Sequence, residues 1–180
     1  VEMVHRYLAT SVGFLILVIT VASWVEYSRS RAQRGAGAAV SAPVLSPWWP
    51  TVTLVWVCIQ GAFGALTVTM KLFPAIVTLH LIGGLVLLFL LCAQAVRRTQ
   101  IVQAVAPVPV PAPVRRWLWG ALVLLSIQVV LGGWVSTNYA VLACTEFPGC
   151  QGSLWPPMDF RQGFQVWREL GVLQDGSYIS

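Results

Sequence analysis

Charge is what this 180-residue chain has least of. Only 9% of its residues are Asp, Glu, Lys or Arg, against about 25% in a soluble globular domain, while 57% are hydrophobic. That deficit excludes a water-soluble single domain and a disordered chain. Acidic residues are scarcest, six against eleven Lys and Arg, which gives a net charge of +5. The basic balance does not make a nucleic-acid reader, because the arginines fall between apolar blocks rather than on one soluble face. Four cysteines are too few for a disulfide scaffold, so each is judged by its place. Tryptophan, by contrast, is plentiful at nine residues, and Trp collects at membrane interfaces.

Four uncharged stretches reach the ~18 residues that mark a membrane-spanning helix: Tyr7–Val25, Val44–Met70, Leu72–Val96 and Trp117–Thr145. The expected class is therefore all-α integral membrane, with four transmembrane helices in a lipid bilayer. The first run is too long for a signal peptide, lacks a preceding basic cluster and is followed by three more spans. The chain opens with Val1 inside what already reads as helix, so it is expected to be an internal piece of a longer protein. Arg29, Arg31 and Arg34 follow the first span, and Arg97, Arg98, Arg115 and Arg116 separate the third from the fourth. The positive-inside rule puts both Arg-rich loops in the cytoplasm and the C-terminal segment outside. Ser28–Pro47 reads as a flexible linker. Ala104–Val114, with Pro107, Pro109, Pro111 and Pro113, reads as a polyproline-like spacer. The chain thus divides into residues 1–100, a Pro-rich cytoplasmic linker over 101–116, and residues 117–180. Gln60–Val68 and Gln128–Ser136 echo each other, by common ancestry or by chance.

Both histidines fall in or at a span. His80 has only apolar immediate neighbours, and an ionisable residue inside a membrane helix is a functional candidate by default. Counted from Pro74 at 1.5 Å per residue, it lies about 9 Å into the membrane. His5 precedes the inner end of its span near Val25 by 20 residues, and His80 precedes Val96 by 16. Both helices run out-to-in, so the imidazoles lie at similar depth in the outer leaflet. Two facing imidazoles clamp a haem iron axially; the alternative is a pair of neutral imidazoles that only bond neighbouring helices. Gly61, Gly64, Gly83 and Gly84 offer room for a flat macrocycle or simply close helix packing. Glu2 projects from the same helical face as His5, either paired with Arg6 or held beside the cofactor edge as a proton acceptor. Arg6 suits a haem propionate.

Cys144 and Cys150 lie in the outer segment, where Pro148-Gly149 can turn the chain, so a disulfide is expected ahead of free thiols or zinc. Cys58 and Cys92 are small apolar residues of the spans. Asp159 can cap a short surface helix with Gln162 at its third position. Phe160, Phe164, Trp167 and Gly171 then share one side, Leu170 near its edge, and Gly171 ends it.

The ordered set Glu2-Met-Val-His5-Arg6, Gly64-Ala-Leu-Thr-Val68, Pro74-Ala-Ile-Val-Thr-Leu-His80, Gln128 with Leu131-Gly-Gly-Trp134, and Cys144 with Phe147-Pro148 and Cys150 resembles the haem A synthase family. Glu146-Phe147-Pro148 stands where Asp-Trp-Pro is usual. The resemblance implies an eight-helix bundle of two similar four-helix halves, of which this chain supplies helices two to five. It implies oxidation of the position-8 methyl of haem O to a formyl group, by successive hydroxylations and loss of water, for cytochrome c oxidase. His5 and His80 would be the axial ligands facing the substrate haem, Glu2 the essential carboxylate, and the Cys144–Cys150 loop a cover at the outer mouth. Haem b would be held by a second histidine pair outside this chain, and the fragment alone would be inactive. Haem O synthase and cytochrome c oxidase assembly factors are the implied protein partners, in a bacterial cell membrane or the mitochondrial inner membrane. The competing readings are a bis-histidine b-type cytochrome passing electrons to or from quinone, and a non-catalytic assembly subunit.

Overall fold

The computed structural model describes residues 2–36, 46–70, 72–138, 144, 146 and 148–167, with Glu2 placed by its backbone only. Among these residues five helices follow one another: α1 (Glu2–Gly35), α2 (Trp48–Thr69), α3 (Pro74–Val102), α4 (Ala112–Thr137) and α5 (Phe160–Gly163). The first four are each long and apolar enough to cross a membrane. The expected all-helical, multi-pass membrane class is what the chain folds into.

The helix limits depart from the uncharged runs in instructive ways. At 34 residues, α1 is about 51 Å long at 1.5 Å per residue, well beyond the ~30 Å hydrocarbon layer. It runs on past Val25 because Glu26, the arginines, Ala32 and Gln33 include good helix formers. The expected flexible linker is thus helical as far as Gly35, while residues 37–45, including Val44, lie outside the described residues. The spacer also shrinks. Pro113 belongs to the first turn of α4, where a missing N–H costs nothing, and α3 extends to Val102. Its end is a Schellman motif: Ala104 adopts φ 50°, its N–H bonds the Ile101 carbonyl at 3.4 Å, and the Val105 N–H bonds that of Gln100 at 3.0 Å. At the other end of α3, Leu72 lies in the preceding turn with φ 60°, and Pro74 is the first helical residue. α4 stops at Thr137, and most of the stretch to Thr145 lies outside the described residues.

The chain forms two compact units, divided inside α2 between Ala62 and Phe63 and inside α3 between Ile82 and Gly83. The first holds α1, the earlier part of α2 and the later part of α3. Polar side chains tie these helices together. Thr20 Oγ1 reaches the carbonyls of Ile16 (2.8 Å) and Pro50 (3.2 Å). Trp24 Nε1 donates to Thr51 Oγ1 at 3.0 Å, and Trp56 Nε1 to the Gly83 carbonyl at 2.9 Å. Gln94 Nε2 donates to Thr53 Oγ1. At the Arg-rich end, Trp24 packs edge-on against Tyr27 and Trp48, and the Arg97 guanidinium lies 4.9 Å over the Trp49 ring. The second unit holds the rest of α2, the start of α3, α4 and the segment that follows. Here Thr78 and Thr137 hydroxyls meet at 3.1 Å. A Cβ on Gly133 would lie 3.1 Å from Leu81 Cδ2, so the missing side chain lets α3 and α4 approach.

Gly83 is the tightest point of the first unit. A Cβ placed there would fall 1.8 Å from Gln60 Nε2 and 2.5 Å from its Cδ, and Gln60 is itself buried. Gly83→Ala must displace that amide and should destabilise the full-length protein by about 1–3 kcal/mol. The measurement is its thermal denaturation midpoint in detergent. Gly84→Ala, with nothing within 4 Å, should be neutral or slightly stabilising. Adding Gln60→Ala to Gly83→Ala should recover part of the loss. Equal midpoints for the two glycine variants would contradict this packing.

Candidate functional site

α1 begins at Glu2, three residues before His5 and four before Arg6. This spacing keeps all three on one helical face. The Glu2 side chain lies outside the described residues; His5 and Arg6 are exposed. The next turn is held by back-bonding hydroxyls, Thr10 Oγ1 to the Arg6 carbonyl and Ser11 Oγ to that of Tyr7, each at 2.9 Å.

His80 belongs to the second unit. It is half-buried on α3, between the buried Thr78 below it and Ile82 above. A Cβ built on Gly64 of α2 would lie 3.4 Å from His80 Cε1 and 3.7 Å from Nε2. The nitrogen-bearing edge of the ring therefore faces bare backbone. Thr67 Oγ1 donates to the Gly64 carbonyl at 2.7 Å and fixes that turn of α2. Imidazole nitrogen is the donor type that ligates haem iron, and the position beside it carries no side chain. Among the described residues no group of three His, Cys, Asp or Glu gathers to hold a bare metal ion. His5 and His80 fall in different units. Of the four glycines read as room for a macrocycle, Gly64 faces an imidazole edge. Gly83 does not offer that room, because the Gln60 amide fills the space above it.

The segment after α4 is built on a disulfide between Cys144 and Cys150, Cα–Cα 4.7 Å. Cys150 and Ser153 exchange backbone hydrogen bonds of 2.8 and 3.2 Å around Gln151 (φ 54°) and Gly152 (φ 75°), the two left-handed positions of a type I′ turn. The Glu146 carboxylate accepts the Gly152 N–H, so the acidic residue of this loop shapes the turn. Asp159 caps α5 as expected, its Oδ1 accepting the Gln162 N–H at 3.0 Å. The helix is shorter than expected, ending at Gly163 with Phe164 as its cap. Gly163 is a weak helix former, and its carbonyl is taken by Trp134 Nε1 at 2.8 Å. Trp167 stands beyond the helix and packs on the buried Phe73, ring centroids 4.6 Å apart. Leu170 and Gly171 lie outside the described residues. Sequence reasoning missed both anchors, Trp134 and Phe73; a Trp near each helix end was their signal.

The chain matches the family model COX15-CtaA, cytochrome oxidase assembly protein, over residues 1–173. It is 35% identical over 180 residues to a protein named Heme A synthase from Shewanella oneidensis, covering 96% of this chain and 49% of that protein. It is 28% identical over 178 residues to a Heme A synthase from Symbiobacterium thermophilum, covering 96% and 54%. The chain spans about half the length of these curated relatives. No solved structure gives a significant match.

Gly64 offers a local test of the His80 position. Gly64→Ala brings a methyl into ordinary contact with the ring and should leave the haem content of the full-length protein near the parent value. Gly64→Leu overfills the space and should lower haem affinity about tenfold, the scale seen when a ligand's orientation is lost. Soret absorbance per protein at matched membrane levels reads both. Parental haem content in the Leu variant would show that this ring position does not matter.

Proposed function

The chain belongs to the COX15-CtaA family of cytochrome oxidase assembly proteins, and on that premise we propose that it is the part of a haem A synthase that holds the substrate, haem O. The observation that carries this reading is His80, an imidazole on an apolar helix whose Nε2 edge faces the bare Gly64. His5 supplies the second imidazole, and Arg6, one residue on, suits a propionate. Haem O is then held by its iron from α1 and α3. The chain has two histidines in all, enough for one axial pair, so a haem b cofactor takes its ligands from elsewhere in the protein.

The reaction converts the position-8 methyl to a formyl group by successive hydroxylations and loss of water, a net four-electron oxidation whose oxidant is supplied from outside this chain. What this chain contributes is position and proton handling. His5 and His80 would hold the ring by its iron, and Glu2, one helical turn from His5, would be the carboxylate of the site. Such a carboxylate takes the proton of the attacking water or of a hydroxyl as water is lost, and favours positive charge as it develops. The two Arg-rich ends lie in the cytoplasm, and the Cys144–Cys150 loop covers the outer mouth. Haem O synthase supplies the substrate and cytochrome c oxidase assembly factors receive the product. A cytochrome that only passes electrons to quinone needs the same imidazoles but no Glu2. It is not favoured, since both relatives are named for haem A synthesis.

Glu2→Gln tests this reading directly. It keeps shape and hydrogen bonding but removes the charge, and losing general acid–base help costs roughly 10²–10⁴ in rate. In the full-length protein it should still bind haem, yet accumulate haem O or a hydroxylated intermediate. His80→Ala should abolish haem A formation. Arg6→Gln should be milder, near the ~0–1 kcal/mol of an exposed ion pair. Chromatography of extracted haems at matched protein level gives the answer, and normal haem A from Glu2→Gln would remove the carboxylate from the chemistry.

A further inference from the structure

A groove of about 420 Å³ runs along α1 in the first unit, and neither histidine is among its lining residues. Leu17, Val21 and Val25 of α1 and Leu54 of α2 make its walls, and Ser28 and Arg29 stand at one end. Trp24 also lines it and is fixed there by its hydrogen bond to Thr51. The Thr20 hydroxyl is turned to the Ile16 and Pro50 carbonyls, so the polarity of the groove is concentrated at the Arg29 end.

Its dimensions match one leaflet of a bilayer. Leu17 and Arg29 are twelve residues apart, about 18 Å along the helix, and half of the ~30 Å hydrocarbon core is about 15 Å. The groove is apolar through that depth and ends in a guanidinium where the headgroups begin. The chain offers Arg29 little acidic company. Its six carboxylates are Glu2, Glu26, Glu146, Asp159, Glu169 and Asp175, and only Glu26 is near in sequence. Glu26 is engaged by Arg98 at 3.8 Å, the one ion pair among the described residues. Arg31, Arg34, Arg97 and Arg98 raise the positive charge at the Arg-rich ends of α1 and α3. A ligand complementary to this groove carries an acyl chain and a phosphate with net negative charge.

We propose that the groove is a binding site for an anionic phospholipid of the cytoplasmic leaflet, its acyl chain along Leu17, Val21 and Val25 and its phosphate on Arg29 and Ser28. The lipid then fills the face between α1 and α2 and fixes the depth of α1, the helix that carries His5.

The test uses the full-length protein in detergent, titrated with phosphatidylglycerol and separately with phosphatidylcholine, with the first bound lipid followed by native mass spectrometry. The parent should prefer phosphatidylglycerol. Arg29→Gln should weaken its binding about fivefold, the effect of one basic residue at an anionic surface, and erase the preference. Arg31→Gln removes the same charge outside the groove and should change little; equal losses from the two would mean a diffuse surface effect and overturn the site. Val21→Trp fills the groove without touching charge and should weaken both lipids; unchanged binding would overturn it. A benzophenone side chain at Val21, irradiated in membranes, keeps the question open to refutation if Val21→Trp folds poorly. Cross-linking to phospholipid supports the proposal, and cross-linking to another helix of the same chain refutes it.

Discussion

Lipid tails cannot hydrogen-bond, so every polar group within the spans must be satisfied by protein. That constraint organises this chain. Hydrophobic burial gives little attraction between helices already surrounded by hydrocarbon, and few apolar side chains are buried; prolines apart, they are Ile16 and Phe73 among the described residues. The helices are held instead by Thr20 on Pro50, Trp56 on Gly83, Gln94 on Thr53 and Thr78 on Thr137. Each bond needs a close approach, and the small residues Gly83 and Gly133 permit it. The α2 turn that faces the His80 imidazole is held in the same way, by the Thr67 hydroxyl on the Gly64 carbonyl.

The class of the protein was legible in its charge deficit and in four uncharged runs, since the length of a span is dictated by bilayer thickness. The limits of the helices were less so. Hydropathy marks the apolar layer, whereas α1 is stopped by backbone chemistry at Gly35, ten residues past the last apolar position of its run. Pro113 read as spacer because Pro breaks helices internally, although it is well tolerated in a first turn. The Cys144–Cys150 disulfide and the Asp159 cap were legible because both are short-range devices. Trp134 on Gly163 and Trp167 on Phe73 join positions far apart in sequence, and no local pattern encodes such pairs. Gln60 reads in the sequence only as the start of an internal echo, and its place above Gly83 emerges only when the two helices meet.

His5 and His80 were legible for a different reason. Ionisable side chains are costly in hydrocarbon and so rare there that two of them, expected from the sequence at similar depth, stand out as candidates against a background of Leu and Val. Glu2, by contrast, is an ordinary surface residue by composition, and only its helical register with His5 lifts it above the other carboxylates. The segment after α4 adds a cross-linked turn whose Glu146 carboxylate holds the Gly152 amide. It is fastened through Trp134 and Trp167 to elements of the same unit as His80.

The central claim is that His5 and His80 are both axial ligands of one haem. Electron paramagnetic resonance of the oxidised, full-length protein, with haem O bound and the haem b pair removed by substitution, tests it most directly. The account predicts a low-spin bis-imidazole signal that converts to high spin when either His5 or His80 is changed to Ala. A low-spin signal that survives both substitutions would contradict it.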